Sequence, residues 1–397
     1  EIVRELGVEA TTLHLHWHLL ETAPYTYAGP QIDTLRLAQA LFSAENLQLS
    51  LTVSPIVRNV LAVPEDLRAG LESGKWRFSD PQVIVLFQRL LTYVQQELPQ
   101  VTLVSLQIGH EVDQYILWEP HSSMWSDFLI FYQAVGAHAK ALWGKQLKVG
   151  VTATHTGLVT EPTQTIMGVI NGSSDIASVT YLPRRADFTA IDLTQVRTDL
   201  EKVIALYAPK AIYVQAVGFP SAVRTKSSQT TQSQFIKAFF EVWDHYAAWI
   251  PFASFMRLHD LSPTMAKIDL LNFTQTSTPT ALSYVESLGL RTYTGTGQAK
   301  TAYKTLRNLA FERGWWRIRS PTARTFYMGF TPRPYDTPPD AATQQQVETW
   351  MQSHLATHAD IVALHFDSGI PWVEAFQDTF STVDPPYSRN VLETWRY

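Results

Sequence analysis

The chain has 397 residues, 45% hydrophobic and 17% charged, with a formal net charge of −5 and no cysteine. That length and apolar content can bury at least one large core, while a mildly acidic balance without a long basic run excludes a broad nucleic-acid-binding face. The missing thiols exclude disulfides, cysteine-ligated zinc and thiol catalysis together, and no apolar run reaches the roughly 20 residues that span a bilayer.

The N-terminus EIVRELGVEA (1–10) has neither an initiator Met nor a signal-peptide pattern, so the chain is expected to begin inside a longer protein, opening in a helix that should follow a missing first strand. Strand-like runs then recur: TTLHLHW (11–17), LQLSLTVSPI (47–56), VTLVSLQIGHE (101–111), LKVGVTATHT (147–156), DIASVTYLP (175–183), AIYVQAVGFP (211–220) and FASFMRLHDL (252–261). Helix-period stretches separate them, such as 83–98 and 125–143. Alternating buried strands and helices predict a parallel sheet covered by helices. With no phosphate-cradling glycine turn after the first run, the expected fold is α/β, a (β/α)8 TIM barrel over residues 1–315 whose first strand is missing at the N-terminus.

TAYKTLRNLAFERG (301–314) predicts a helix ending at Gly314, followed by a linker at 316–323 with Ser-Pro punctuation. A further βαβ unit is then expected over 324–397, with a strand at 324–336, a helix at 340–359 and a strand at 360–372. Its ALHFD echoes LHLHW of the first run as a weak internal repeat. Either this unit closes the first barrel in permuted order or it begins a second one; closure is favoured, because an open barrel leaves unpaired edges.

In such a barrel, chemistry gathers at the C-terminal strand ends. Those ends carry His14, His16, Trp17, Ser54, Arg58, His110, Glu111, Asp113, Thr154, His155, Tyr181, Arg184, Gln215, Arg257, His259 and Asp260. In SLQIGHEVDQYI (105–116) the strand runs into Gly-His-Glu and puts Glu111 at the mouth, where partial desolvation is expected to raise its pKa towards general-acid duty. The competing expectation is a buried ion pair with Arg257 or Arg184.

IGHEVD resembles the turn that ends strand four in retaining glycoside hydrolases of the large (β/α)8 clan, especially endo-galactanase-like and uncharacterised bacterial relatives. HWHLLETAP, LTVSPI, SVTYLP, YVQAVGFPS and LHDLSP resemble, in order, that family's motifs on strands two, three, six, seven and eight. GFTPRPYD and HFDSGIPW resemble the first two strands of related barrels. The resemblance covers roughly residues 1–315 and implies an acid/base on Glu111 and a nucleophile about 5–5.5 Å away on the strand-seven turn. That second position is Ala216, and the Asn expected before the acid/base is His110. Strand eight offers Arg257 and His259 in place of an aromatic platform.

Three readings follow. The first is a carbohydrate-binding, catalytically impaired barrel whose ligand contacts are Trp17, His110, Tyr181, Phe219, Arg257, His259 and Asp260, Trp17 and Phe219 being either sugar platforms or plain packing. The second is a hydrolase with Glu111 as acid and water activated by Asp260, Asp113 or His259, which needs a wider gap of about 6.5–9.5 Å. The third is a structural or assembly module. The expected partner is an oligo- or polysaccharide, with further domains of a longer protein. Neither nucleic acid nor a membrane span is expected, and the resemblance leans towards a place outside the cytoplasm. No cofactor is expected. His14, His16 and His18 could chelate zinc with His259 or Asp260, but strand histidines hydrogen-bonded in a barrel mouth account for the pattern, so no metal is expected. No G-x-S-x-G turn anchors serine chemistry.

Overall fold

Six of the seven sequence runs each become one parallel strand, and the run at 147–156 becomes two, in the computed structural model, which describes residues 6–118, 123–273, 278–293, 297–315, 325–328 and 363–366. The strands are β1 (Ala10–His16), β2 (Gln48–Ser54) and β3 (Leu103–Gln107), then β4 (Lys148–Gly150) and β5 (Thr152–Thr154), then β6 (Ile176–Tyr181), β7 (Ala211–Val217) and β8 (Phe252–Phe255). The run at 147–156 splits at Val151, so the wall consists of two parallel ladders, β1-β2-β3-β4 and β5-β6-β7-β8. Helices follow the strands: α1 (Ile32–Ala44), α2 (Pro81–Glu97), α3 (Met124–Trp143), α4 (Thr163–Gly172), α5 (Gln195–Tyr207), α6 (Gln229–His245) and α7 (Thr301–Glu312). This is the α/β TIM-barrel fold that the alternation predicts.

Among the described residues no backbone ladder joins β1 to β8. Both flanking strands are half-buried along most of their length, whereas β6 is buried at every position. The Thr12 and Ser254 hydroxyls lie 3.4 Å apart between them.

Strand parity divides the core in two. On β2, Leu49, Leu51 and Val53 join the hydrophobic core that packs under the helices, and the alternate residues Ser50, Thr52 and Ser54 are buried as well. The bore is therefore polar. The Ser50 hydroxyl donates to Gln215 Oε1 at 2.8 Å, a bond from β2 to β7, and lies 2.7 Å from the Ser105 hydroxyl of β3. Gln215 reaches inward through a bulge: Val179 pairs with Val214 and Thr180 with Ala216, leaving Gln215 as the extra residue.

Among the described residues the hydroxyls of Thr52, Ser54, Thr152 and Ser178 have no hydrogen-bond partner. A buried orphan hydroxyl costs about 1–3 kcal/mol, so the isosteric change Thr52→Val is expected to stabilise the fold by about 1 kcal/mol, read as a higher midpoint in denaturant.

Helix ends follow their sequence signals. Ser228 caps α6 by accepting from the Thr231 amide at 3.0 Å. Gly314, at φ +65°, ends α7 in a Schellman turn, with bonds from the Gly314 amide to the Phe311 carbonyl and from the Trp315 amide to the Ala310 carbonyl. Trp315 then packs against Phe240 and Trp243.

The chain divides into two compact units, Glu1–Trp316 and Arg317–Tyr397. In the second, β9 (Thr325–Met328) and β10 (Ala363–Phe366) pair in parallel with Thr325 opposite Ala363. The expected linker at 316–323 and helix at 340–359 lie outside the described residues.

Candidate active site

The turn that follows β3 is fixed from both sides. The Ile108 amide bonds the Gly150 carbonyl and the Val112 amide bonds that of Thr152, which ties the turn to β4 and β5. On the other side the His110 amide donates to the Ile56 carbonyl, and the Arg58 amide to the His110 carbonyl at 2.7 Å. Gly109 has φ +114°, and a Cβ there would fall 2.6 Å from Val112 Cγ1, so only glycine fits.

Glu111 follows in the left-handed region at φ +50°, and Arg58 stands at φ +53°. Two non-glycine residues in that region are strained, and here the strain aims one side chain at the other. Arg58 Nε donates to Glu111 Oε2 at 2.6 Å, and the Thr180 hydroxyl donates to Glu111 Oε1 at 2.7 Å. Both carboxylate oxygens are thus engaged.

This arrangement corrects the expectation that Glu111 is tuned upward. Burial does push its pKa up, but the Arg58 charge, His110 and the hydrogen bonds from Thr180 and Arg58 outweigh burial and hold it at about 2. The buried ion pair forms with Arg58, in place of Arg257 or Arg184. Ala216 sits in register with Thr180, whose side chain reaches Glu111, so its Cβ shares the face that Glu111 occupies.

Imidazoles complete the mouth. His14 meets His110 edge to face with ring centroids 4.7 Å apart, and the His16 and His18 rings lie 5.8 Å apart. Burial is the main cause that lowers His14 to about 3 and His16 and His110 to about 4, with neighbouring imidazoles and Arg58 adding to it. Asp113 moves the other way, to about 6, because burial outweighs the hydrogen bonds it accepts from the Thr154 amide and hydroxyl and from Gln114.

Stability should accordingly fall on acidification. Between pH 6.5 and about 4 the unfolded chain takes up protons that the folded histidines refuse. Below the ordinary carboxylate value of 4.5, Glu111 loses its contribution as the pH falls towards 2. Asp113, Glu21 and Asp260, all raised by burial, oppose this by gaining protons early, but His18 and His155 are lowered by burial as well and add to the histidine side. A melting temperature that declines steadily from pH 6.5 to 4, and less steeply in His14→Asn, is the expected result.

The other site residues read from the sequence lie elsewhere. Trp17 is fully buried, donates from Nε1 to Glu21 at 2.6 Å and meets Phe87 edge-on, so it is packing and no sugar platform. Phe219 is likewise buried, stacked on Phe235 at 4.6 Å. The Tyr181 hydroxyl donates to Asp199 of α5, which turns the ring towards the helices and away from Glu111. Arg257 bonds Asp269 and the Val285 carbonyl. Asp260 accepts from Lys300 Nζ at 2.5 Å and from the Gly289 amide at 3.0 Å, and His259 bridges to Arg291. These three hold together the segment that follows β8. Asp113, a candidate base of the second reading, is fully buried with its oxygens already accepting.

Thr180 was missed by sequence reasoning, although parity gives it away: if Tyr181 faces the helices, its neighbour faces the bore. Among the described residues no three His, Cys, Asp or Glu side chains come together to hold a metal, and no helix is long and apolar enough to cross a membrane.

Solved structures of glycoside hydrolases share this parallel barrel fold. The chain is similar to GH5_18 from Bifidobacterium longum subsp. longum ATCC 55813, with 15% identity, TM-score 0.60, and 93% of this chain and 91% of that one covered. A variant of that protein in complex with Manβ1-4GlcNAc matches at 14% identity and TM-score 0.60, covering 92% and 89%. An exo-β-1,4-mannosidase from Opitutaceae bacterium strain TAV5 matches at 13% identity and TM-score 0.57, covering 92% of this chain and 64% of that one. No family model and no curated protein matches the sequence.

Proposed function

We propose that the barrel binds a neutral β-linked oligosaccharide at its mouth and does not cleave it. One observation carries this reading. Glu111, which the sequence resemblance puts at the acid/base position, is a carboxylate clamped by Arg58 and Thr180, and the residue in register with Thr180 is Ala216. A group held ionised at about 2 has no proton to give a leaving oxygen near neutral pH. An alanine has no atom to attack an anomeric carbon. Imidazoles kept neutral by burial retain one donor and one acceptor each, which suits hydroxyl groups.

Manβ1-4GlcNAc, found in a structural neighbour, is the first ligand to test, by calorimetric titration of the full chain with product analysis of the same mixture. Binding without release of mannose is expected. Turnover that Glu111→Gln abolishes would sink the proposal. A second reading, an assembly module with a relic mouth, is favoured by the burial of Trp17, Tyr181 and Phe219, and is the answer if no saccharide binds.

A further inference from the structure

A groove of about 580 Å³, within the size range of small-molecule sites, lies beside the mouth, lined by Pro24, Tyr25, Asp66, Trp76, Pro81 and Gln82 over an aliphatic floor. Its walls are the segment leaving β1, the segment leaving β2 and the first turn of α2. Chain segments between a strand's end and the next helix lie at the C-terminal face of a barrel, so groove and mouth share one face. The two segments are joined where the His18 amide donates to the Ala62 carbonyl.

Tyr25 is the informative residue. It sits in the left-handed region at φ +64°, a conformation that costs free energy, and still leaves 52% of its surface exposed. Buried groups hold it there: its amide donates to Glu21 Oε1 at 2.6 Å, and the other Glu21 oxygen accepts from Trp17. Arg89 lies 4.6 Å from the ring centroid and supports it. Across the groove, Trp76 is fixed against Gly70, where an added Cβ would collide with the indole. Asp66 and Gln82 place an exposed carboxylate and amide at the rim.

Rigid aromatic surface bordered by a few hydrogen-bonding groups complements a pyranose, whose C–H face is apolar and whose edge carries hydroxyls. We propose that this groove is a second saccharide site, which holds a neutral polysaccharide chain on the same face as the mouth. The proposal rests on the reading of the barrel as a carbohydrate binder, and the tests of the two come apart.

The full 397-residue chain would be run through native gels containing soluble galactomannan, while mannobiose is titrated calorimetrically to report the mouth. Tyr25→Ala is expected to weaken retardation by about tenfold and to leave mannobiose binding unchanged. Arg58→Met should do the reverse. If Tyr25→Ala fails to fold, Asp66→Asn combined with Gln82→Ala, both at exposed positions, is expected to show the same loss. Retardation that persists in both variants overturns the groove. So does a Tyr25-dependent dimer in sedimentation velocity without retardation, which would make a second copy of the chain the occupant. Tyr25-dependent retardation without mannobiose binding keeps the groove and removes the mouth.

Discussion

Replacing Arg58→Met is expected to cost about 3–5 kcal/mol, because it strands a carboxylate that is almost wholly buried. The Glu111 side chain is 7% exposed and that of Arg58 18%, so solvent screens neither well. With the guanidinium gone, Thr180 remains as the hydrogen-bond donor to Glu111, and burial then sets the pKa, which climbs from its depressed value. In a domain of this size the loss is roughly a 10 °C fall in melting temperature. The double change Arg58→Met with Glu111→Gln should recover most of it, since no uncompensated charge is left. Glu111→Gln alone should cost less, about 1–3 kcal/mol, because Arg58 is the more exposed partner. Lowering the pH towards 4 should shrink the Arg58→Met penalty, because protonation removes the stranded charge. If Arg58→Met unfolds within 1 kcal/mol of the parent, the clamp is not what fixes this turn.

The same clamp shows how much the sequence could give. Alternation of apolar runs placed all seven strand regions, and GHEVD marked Glu111, because strand period and glycine punctuation are local properties. The partner of Glu111 was not local. Arg58 is 53 residues away and is carried to Glu111 by two interstrand hydrogen bonds around His110. The aromatic platforms failed for a related reason. Position at a strand end does not say which way a ring points, and Trp17 and Phe219 face Phe87 and Phe235. Parity was the stronger signal. Ser50, Thr52 and Ser54 on β2, Ser105 and Gln107 on β3 and Ser178 and Thr180 on β6 alternate with aliphatic residues, which marks the bore as polar. Only the bulge escaped that rule. It turns Gln215 inward beside Ala216, against the expectation that neighbouring residues take opposite faces.

Ala216→Glu tests whether the strand-seven turn has a nucleophile's geometry. The new carboxylate would stand next to Thr180 on the face that holds Glu111, so two acidic groups would share the one Arg58 cation. Like charges at that separation disfavour double ionisation, so Glu111 is expected to titrate higher than about 2 and the fold to lose stability. Turnover should return selectively. Dinitrophenolate leaves a dinitrophenyl β-mannoside without needing a proton, so attack by the introduced carboxylate alone can release it and leave the mannosyl group on the carboxylate. A mannobiose linkage needs a general acid, and Glu111 supplies one only as far as its pKa has risen. The expected result is release of dinitrophenol at least about a hundredfold above the parent, with no detectable cleavage of mannobiose at pH 7. Release should vanish in Ala216→Gln, which has the same shape without the nucleophile. Intact mass spectrometry after incubation with a 2-deoxy-2-fluoro mannosyl fluoride supplies the independent readout. An adduct on Ala216→Glu but not on the parent would place a reacting anomeric carbon at this turn, whereas no adduct and no dinitrophenol would mean that the frame around Ala216 does not present a sugar to it.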